Sequence, residues 1–404
     1  MDGQKKHIVV IGGGPAGLMG AEVLATAGHR VMLFDRMPSL GRKFLMAGRG
    51  GLNLTHSESL ETFLTRYGAA TEWLEPSIRA FPPEALKAWC EGLGEETFIG
   101  TSGRVFPKSM KAAPLLRAWL RRLEQLGVIY EAQHTWRGWD VSALKFANTK
   151  QEHVFVTPDA TLLALGGASW PRLGSDGGWV DILARQKIEV TPLRPSNSGF
   201  TVPWSEYFKT RFAGTPLKPV ALFHDGMRQQ SEIMITASGI EGGAVYALSA
   251  ALREAIAARD AVTVHLDLRP GMSEDTLRQK LERRGNKSLS THLQKAGFSP
   301  ITVSLLRETM AQGELTALTA GELAARLKAL PLTLTGTTSI ARAISTAGGI
   351  AREALDKHFM LHARPSVFAC GEMLDWEAPT GGYLLQGCFS TAVAAANGIL
   401  RYLD

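Results

Sequence analysis

A glycine-rich turn near the beginning of the chain constrains the fold more than any other feature. An apolar run at residues 8–11 is typical of a short buried strand, and it ends at Gly12. Gly12, Gly14 and Gly17 have the spacing Gly-x-Gly-x-x-Gly. In a strand–turn–helix unit the first glycine permits a tight turn, the second admits a pyrophosphate, and the third lets the helix pack on the strand. The turn therefore predicts a dinucleotide-binding unit.

The residues that follow the turn complete this pattern. Pro15 lies where the first turn of a helix does not need an N–H donor, and a helix is predicted over 18–27. A second apolar run over 31–34 ends at Asp35, whose carboxylate is expected on a ribose hydroxyl. A tight turn without a ligand is the alternative. The ordered combination of strand, turn, helix, strand and acid favours the dinucleotide.

Length and composition indicate a globular protein with a large core. The 404 residues are enough for two or three domains, and the net charge of +6 allows an anionic ligand or nucleic acid without requiring one. Cys90, Cys370 and Cys388 show neither metal-ligand spacing nor a disulfide framework, which predicts no metal and a reducing cytoplasm. We find no signal peptide and no apolar run that approaches a membrane span, so we expect no membrane partner.

A loop rich in glycine and basic residues follows Asp35. Gly41-Arg42-Lys43 is followed by a Gly-Arg-Gly-Gly-Leu-Asn run over 48–53. Such a loop has few side chains for a core, and its backbone N–H groups are suited to a flat or anionic ligand. The alternative is a flexible surface loop, and the position directly after the acid favours the ligand.

These segments carry a family resemblance that extends along the whole chain. The sequence resembles the BaiN-like, aminoacetone-oxidase-like flavoproteins, which are similar to FAD proteins of the glutathione-reductase type. The matching segments are 41–57, 103–110, 164–171 with 174–177, 346–350, and 371–375 with 379–383. Two departures lie where the isoalloxazine edge is expected. The family commonly has Gly-Gly-Gly-Arg-Cys-Asn at 48–53, and Tyr-Asn-Leu-Gln where this chain has Tyr383-Leu-Leu-Gln386.

The resemblance implies FAD as cofactor. The residues that we expect to bind it are Gly12, Gly14, Pro15, Ala16, Gly17, Asp35, Arg36, Arg42, Lys43, Gly51, Asn53, Trp136, Ala164, Gly166, Gly371, Glu372, Gly381, Gly382, Tyr383 and Leu384. Paired glycines before a helix that starts at Tyr383 would direct its first N–H groups at the N1–C2=O2 edge of the flavin. A plain core helix is the alternative.

The expected fold class is α/β. Alternating stretches at 199–202, 220–223, 232–236 and 262–268 indicate antiparallel strands, whereas 273–330 has a helical pattern. Together with the resemblance, they predict a Rossmann-like FAD-binding domain with an inserted antiparallel β domain that carries a small helical cap. The predicted bounds are 1–190 and 346–404 for the FAD-binding domain, 191–270 and 331–345 for a β-barrel-like substrate domain, and 271–330 for the helical insert.

The catalytic candidates are polar residues near the expected flavin. We predict Lys43, Asn53 and Tyr383, and also weigh His56 and Cys388 as proton donors beside N5. His56 is more typical of a surface histidine, and Cys388 of a small buried residue. No sequence feature distinguishes among the first three.

A basic stretch over 103–122 leaves room for a nucleic-acid partner. Its cations are Arg104, Lys108, Lys111, Arg117, Arg121 and Arg122, and Phe106 and Trp119 lie among them. Arginines with aromatic residues are typical of RNA-binding surfaces. The favoured interpretation for the last three arginines is an amphipathic helix whose charges lie in water, while Arg104 and Lys108 are expected at the mouth of the site.

Three functions are compatible with this sequence. The first is an FAD-dependent oxidoreductase that uses NAD(P)H as a transient donor, because only one dinucleotide fingerprint is present. It would transfer hydride to an activated C=C bond of a small molecule, or oxidise a small amine with oxygen. The second is reduction of uridine in RNA, and the third is a non-enzymatic flavin redox sensor. The oligomeric state stays open.

Overall fold

The computed structural model describes residues 5–48, 50–282, 285, 288–311 and 313–404. Its strands are β1 (His7–Ile11), β2 (Arg30–Asp35), β3 (Thr55–His56), β4 (Thr97–Ile99), β5 (Arg104–Pro107), β6 (Ile129–Ala132), β7 (Thr135–Asp140), β8 (Ala143–Ala147), β9 (His153–Val156), β10 (Ala160–Leu163), β11 (Val190–Ser196), β12 (Phe200–Thr201), β13 (Pro216–His224), β14 (Met227–Ile235), β15 (Gly239–Glu241), β16 (Val262–Asp267), β17 (Leu330–Leu334), β18 (Gly336–Thr337), β19 (Ser345–Ile350) and β20 (Val367–Ala369).

The α-helices are α1 (Pro15–Thr26), α2 (Arg42–Ala47), α3 (Leu60–Thr65), α4 (Thr71–Ala80), α5 (Pro83–Glu91), α6 (Ala112–Gln125), α7 (Val180–Arg185), α8 (Glu206–Phe212), α9 (Gly243–Ala247), α10 (Ser249–Arg259), α11 (Glu274–Glu282), α12 (Leu289–Lys295), α13 (Pro300–Glu308), α14 (Glu314–Ala317), α15 (Ala320–Lys328) and α16 (Tyr383–Leu403). Short 3₁₀ turns join several of them, including one over Gly371–Met373.

The chain divides into two compact units. The first comprises the described residues up to Pro195 together with Ile344–Asp404, and the second is Ser196–Ala343. The α/β class, with a Rossmann-type domain interrupted by an antiparallel β domain, is thereby confirmed.

A parallel sheet forms the centre of the first unit. Its order is β20-β10-β1-β2-β6, and every neighbouring pair is parallel. Nearly every residue of β1 and β10 is buried, because helices and connections cover both faces of the sheet. The apolar run predicted at 8–11 therefore lies at the middle of this sheet. Helices α1 and α16 pack against each other beside it.

Small antiparallel sheets complete the first unit. The strands β7, β8 and β9 form an antiparallel meander, and β3-β5-β4 forms a second three-stranded sheet. The helices α3, α4 and α5 follow β3 along the chain, and α5 begins at Pro83, where a missing N–H costs nothing.

The second unit is a seven-stranded sheet with helices. Its order is β17-β16-β13-β14-β15-β12-β18. Among the described residues no hydrogen-bonded pairing closes the two edge strands into a barrel. Helices α11, α12, α13 and α15 share one hydrophobic core with the strands. Leu248 separates the helices α9 and α10, and Pro331 lies in the edge strand β17, where its missing donor is tolerated.

Helix α16 contradicts the expectation that no apolar run approaches the length of a membrane span. By length and composition alone, α16 could cross a membrane, which the sequence reading did not anticipate. However, 67% of that apolar stretch is buried inside the protein. A helix in the core of a protein can have the same length and apolar composition, and the burial of α16 is typical of such a core helix.

Candidate cofactor and active site

The glycine turn has the geometry that the spacing predicts. Gly12 has φ +110°, and a Cβ there would lie 2.2 Å from the Ala164 carbonyl oxygen. A Cβ on Gly17 would lie 1.8 Å from the Gly12 carbonyl oxygen, so α1 packs on the turn only without a side chain. A Cβ on Gly14, by contrast, would have nothing within 4 Å. Gly12 and Gly17 are therefore required by packing, whereas Gly14 faces open space where a ligand can approach.

Asp35 holds this turn in place. Its Oδ2 accepts a hydrogen bond from the Gly13 N–H at 2.6 Å, and its Oδ1 accepts one from the Met37 N–H at 2.7 Å. Burial raises the pKa of the Asp35 carboxyl, although both backbone donors oppose the shift. Each oxygen has a second lone pair, so the carboxylate can also accept from a ribose hydroxyl.

Two helix N-termini at this site have free backbone donors. Gly14 caps α1 and Gly382 caps α16, and neither helix has a side-chain cap or an acidic residue in its first turn. A Cβ on Gly371 would lie 2.7 Å from the Ala16 Cβ, so the loop before α16 closely approaches the start of α1. Unpaired N–H groups and the helix dipole favour negative charge at such ends.

The loop containing Asn53 lies against the start of α16. A Cβ on Gly382 would lie 2.5 Å from the Thr55 Cα. The Leu54 N–H donates to the Val105 carbonyl, which fixes this loop on β5. Arg49, in the same glycine-rich run, lies outside the described residues. Within the first unit, the loop of Asn53 thus contacts the start of α16, and the turn at Gly371 contacts the start of α1.

An ion pair between a buried carboxylate and a half-buried ammonium group links two of the predicted residues. Lys43 Nζ lies 2.7 Å from Glu372 Oε2 and 3.0 Å from Oε1, and it donates to Ser169 Oγ at 2.6 Å. Glu372 is 7% exposed and also accepts from the Thr346 N–H at 3.1 Å. The Thr346 hydroxyl in turn accepts from the Ala168 N–H. The pair therefore connects segments from four parts of the chain, and Lys43 is engaged in positioning them.

Tyr383 belongs to a second polar group. Its hydroxyl donates to Glu58 Oε1 at 2.7 Å, and Arg66 forms an ion pair with the same carboxylate. Burial, and secondarily the Glu58 carboxylate, raise the pKa of Tyr383, so the phenol stays protonated. His56 stacks on the ring at 5.5 Å between centroids and accepts from the Glu58 N–H through Nδ1, which leaves Nε2 to donate to the Ser102 carbonyl.

Several buried polar atoms lack a partner among the described residues, as expected where a polar ligand binds. They are Asn53 Oδ1, Thr55 Oγ1, Trp136 Nε1, Ser175 Oγ, Ser198 Oγ and Gln386 Oε1. Asn53 and Trp136 are predicted cofactor contacts. Ser175 was missed as an individual residue, although its motif over 174–177 carries the resemblance; its Oγ lies 3.4 Å from a Cβ placed on Gly166. Buried polar atoms are normally paired, so the vacant bonds of Asn53, Trp136 and Ser175 in the first unit fit a large polar cofactor.

Other predicted residues have different surroundings. Arg36 forms an ion pair with Asp176, and Arg42 donates to Ser39 Oγ at 3.4 Å. Among the proton-donor candidates, Cys388 is buried, and burial raises the pKa of its thiol well above the usual range. Gly51, with φ +112°, lies against the Met110 side chain, and Leu384 is half-buried. Within the described residues no group of three or more His, Cys, Asp or Glu side chains is suited to a metal ion.

The basic stretch departs from the favoured interpretation at Arg122, and burial of Trp119 argues against the RNA-binding alternative for this helix. Trp119 is 0% exposed and donates to Glu22 at 2.6 Å, so it cannot stack on an external base. Arg122 pairs with Glu22 at 2.9 Å instead of lying free in water. Lys108 pairs with Glu96. Helix α6 turns Trp119 inward because an amphipathic helix buries one face, whereas Arg117 and Arg121 are exposed as expected.

Comparisons with known proteins agree with this geometry. Two proteins called ribosomal RNA dihydrouridine synthase are similar to this chain over nearly its full length. The protein from Haemophilus influenzae is 25% identical, and the match covers 98% of this chain and 99% of that protein. The protein from Escherichia coli is 24% identical, and the match covers 97% of each chain. The structure of 3-ketosteroid Δ1-dehydrogenase from Sterolibacterium denitrificans matches with a TM-score of 0.53 at 12% identity, covering 98% of this chain and all of that one, which shows a shared fold.

The family itself is given by a sequence model. The model described as "HI0933-like protein Rossmann domain" matches residues 6–398. The resemblance to BaiN-like flavoproteins and the assignment of FAD as cofactor are thereby confirmed. This chain belongs to the HI0933-like family of FAD-binding proteins with an oxidoreductase fold.

Proposed function

We propose that this protein is an FAD-dependent reductase that acts on the C5=C6 bond of uridine in ribosomal RNA. In the overall reaction, uridine, NAD(P)H and a proton give 5,6-dihydrouridine and NAD(P)⁺. The observation that carries the proposal is full-length similarity to two proteins called ribosomal RNA dihydrouridine synthase. The net charge of +6 is compatible with an RNA substrate.

The residues of the first unit supply what a bound FAD requires. When bound, FAD carries the two electrons from the nicotinamide donor to the substrate. The N–H groups at the start of α1 would hold the pyrophosphate at the open side of Gly14, and Asp35 would accept from the ribose. The N-terminus of α16 would favour negative charge on the flavin. Asn53, Trp136 and Ser175 offer the buried polar atoms that hold the cofactor.

Among the catalytic candidates, Tyr383 is best suited to deliver a proton to the substrate. Lys43 is held by Glu372 and Ser169, and the free atom of Asn53 is an acceptor. Tyr383 retains its hydroxyl proton because its pKa is raised, and the hydroxyl donates a hydrogen bond to Glu58. It also lies at the first position of α16, close to the expected flavin.

The test is a two-stage reaction under anaerobic conditions. Stopped-flow absorbance follows flavin reduction by NADH and by NADPH, and ribosomal RNA that lacks dihydrouridine is then added. We expect the flavin to reoxidise and mass spectrometry of the digested RNA to show a gain of two hydrogens in one uridine. Reoxidation by a small enone but not by RNA, or reduction of the flavin by a small amine followed by reoxidation by oxygen, would exclude RNA and support a small-molecule oxidoreductase. Failure of any donor to reduce the flavin would favour a redox sensor.

Replacing Tyr383 separates the two half-reactions. We expect Tyr383→Phe to retain FAD and its rate of reduction, and to slow reoxidation by RNA roughly 100-fold, because general acid catalysis contributes about 10²–10⁴. Glu58 keeps its ion pair with Arg66, so the local fold is preserved. Because the raised pKa keeps the phenol protonated beyond pH 10, wild-type reoxidation should show no loss from this group below that pH. An unchanged reoxidation rate would remove Tyr383 from the mechanism.

Replacing Asp35 tests the ribose contact. We expect Asp35→Ala to weaken FAD binding by about 1.5–3 kcal/mol, because a hydrogen bond to a charged group and the anchor of the turn are both lost. Asp35→Asn should bind more weakly than wild type, since the amide cannot accept from both Gly13 and Met37 through two oxygens. The measurement is the Kd for FAD by fluorescence titration of apoprotein. Equal Kd values for wild type and Asp35→Ala would contradict the assignment.

A further inference from the structure

The outward face of the small sheet β3-β5-β4 carries aromatic and basic side chains together. The cross-strand pairs Phe98–Phe106 and His56–Arg104 define this face, because directly paired residues point to the same side of a sheet. On the opposite face Thr55 and Val105 are 0% exposed, whereas Ile99 at the edge of the sheet is 54% exposed. We call the residues His56, Phe98, Arg104 and Phe106 the aromatic face.

The two phenylalanines form a stack that remains open to solvent. Their ring centroids are 5.8 Å apart with planes inclined by 29°. Phe98 is 39% exposed, which is unusual for a residue whose stacking partner is so close. An exposed aromatic ring on a sheet offers a surface on which an unpaired base can stack.

The aromatic face adjoins the expected flavin site. A Cβ on Gly51 would lie 3.6 Å from the Phe106 ring and 2.7 Å from the Met110 methyl group, so the loop of Asn53 runs beside the face. At its other side His56 stacks on Tyr383. The face therefore extends from the start of α16 outward to Phe98 within the first unit.

The charges around the face match a nucleic-acid backbone. Arg104 and Lys111 are exposed, and the described part of the chain offers neither of them an ion pair. The nearby carboxylate of Glu96 is neutralised by Lys108. Phosphates beside the stacked bases would therefore meet positive charge, whereas an apolar protein partner would leave these cations without a partner.

We propose that the aromatic face binds a single-stranded RNA segment, with a base stacked on Phe98 and phosphates on Arg104 and Lys111. This inference rests on the proposed function and identifies the part of the molecule that would hold RNA next to the reacting uridine. Bases in a duplex are already stacked, so the face should select unpaired strands.

The experiment measures RNA affinity without turnover. Fluorescence anisotropy follows a labelled twelve-nucleotide oligouridine, and a duplex of equal length, on the oxidised FAD-loaded protein. We expect the single strand to bind more tightly than the duplex. Phe98→Ala should raise the Kd for oligouridine about ten-fold, since stacking on one aromatic ring contributes about that factor or more, and Phe98→Trp should restore binding. Arg104→Ala should lower the slope of log Kd against log salt by about 0.7, the value for one lost phosphate contact on a single strand.

Matched controls lie on another sheet of the same unit. Phe155 is 50% exposed and lies beneath Lys145, and Lys150 is an exposed cation in the adjacent turn. Phe155→Ala and Lys150→Ala should leave the Kd for oligouridine within two-fold of wild type. The flavin spectrum and the melting temperature of each variant establish that it is folded.

The outcomes separate this inference from the proposed function. Absence of oligouridine binding, equal affinity for duplex and single strand, or an unchanged Kd in Phe98→Ala would each overturn the RNA-binding face. If mass spectrometry finds dihydrouridine while Phe98→Ala binds normally, the function stands and the face is wrong. If Phe98→Ala loses binding while no uridine is reduced, the face stands and the reaction is wrong. Capture of a protein rather than oligouridine would also contradict the proposal.

Discussion

Purified Gly14→Val protein should be folded and colourless. Gly14 has φ −82° and ψ −179°, an extended conformation open to valine, and its Cβ would meet no protein atom within 4 Å. The added side chain would instead occupy the space through which the pyrophosphate reaches the N-terminus of α1. The loss of FAD is therefore expected without a loss of fold, which is the largest functional effect that this structure predicts for one substitution.

Two other glycines provide the comparison. Gly271 also has open space around its Cβ but lies in the second unit, so Gly271→Val should retain full flavin absorbance. Gly17→Val should fail to fold normally, because its Cβ would lie 1.8 Å from a carbonyl oxygen. Absorbance at 450 nm after reconstitution with excess FAD, with circular dichroism for the fold, measures all three. A yellow, stoichiometrically loaded Gly14→Val protein would show that the cofactor does not approach this turn.

The free energy of unfolding should fall by about 3–5 kcal/mol in Glu372→Ala. This carboxylate accepts from Lys43 and from the Thr346 N–H while being almost fully buried. Its removal leaves an ammonium group and a buried amide without their acceptor, and the loss of one partner of a buried pair costs about that much. Urea denaturation of the apoprotein, monitored by tryptophan fluorescence, gives the free energy directly. FAD occupancy should fall as well, because Glu372 precedes the loop that leads to α16.

A double mutant distinguishes the effect of the ion pair on stability from the effect of the hydrogen bond to Thr346. Lys43→Met in the Glu372→Gln background removes both charges and retains an acceptor for Thr346, so it should be more stable than either single variant. Arg79→Ala is the surface control, because Arg79 forms exposed ion pairs with Glu61 and Glu75, and it should unfold at nearly the same urea concentration as wild type. If Glu372→Ala unfolds at the same urea concentration as wild type, the buried pair has no structural role.

The cofactor turn was predictable because its signal is local. Residues 8–17 determine a buried strand, a positive φ at Gly12 and a helix that starts at Pro15, and each requirement involves near neighbours along the chain. The amphipathic pattern of α6 was likewise visible. The pattern could not predict how deeply each side chain is buried. Trp119 lies in the core and Arg122 reaches Glu22 because α6 packs on α1, a contact between segments that are distant in sequence.

The contacts within the candidate site were beyond the reach of sequence reasoning. Lys43 and Glu372 are separated by 329 positions, and neither residue carries a sign of its partner. Asn53 and Tyr383 were recognised through motifs, but the motifs do not give their roles. The Asn53 side-chain oxygen has no donor and the Tyr383 hydroxyl donates to Glu58, and both facts depend on the groups that surround them. Phe98 had no sequence signal at all, since its meaning comes from its register opposite Phe106.

The sequence by itself determined the central βαβ unit, the class of the fold, and the cofactor, because glycine spacing, apolar periodicity and family motifs are written in contiguous residues. Only the tertiary structure decided which polar groups are paired, which are left for a ligand, and which aromatic rings remain exposed. The physical reason is that burial and hydrogen bonding depend on all the segments that meet at a point. In this protein those segments come from the two ends of the chain and from three loops between them.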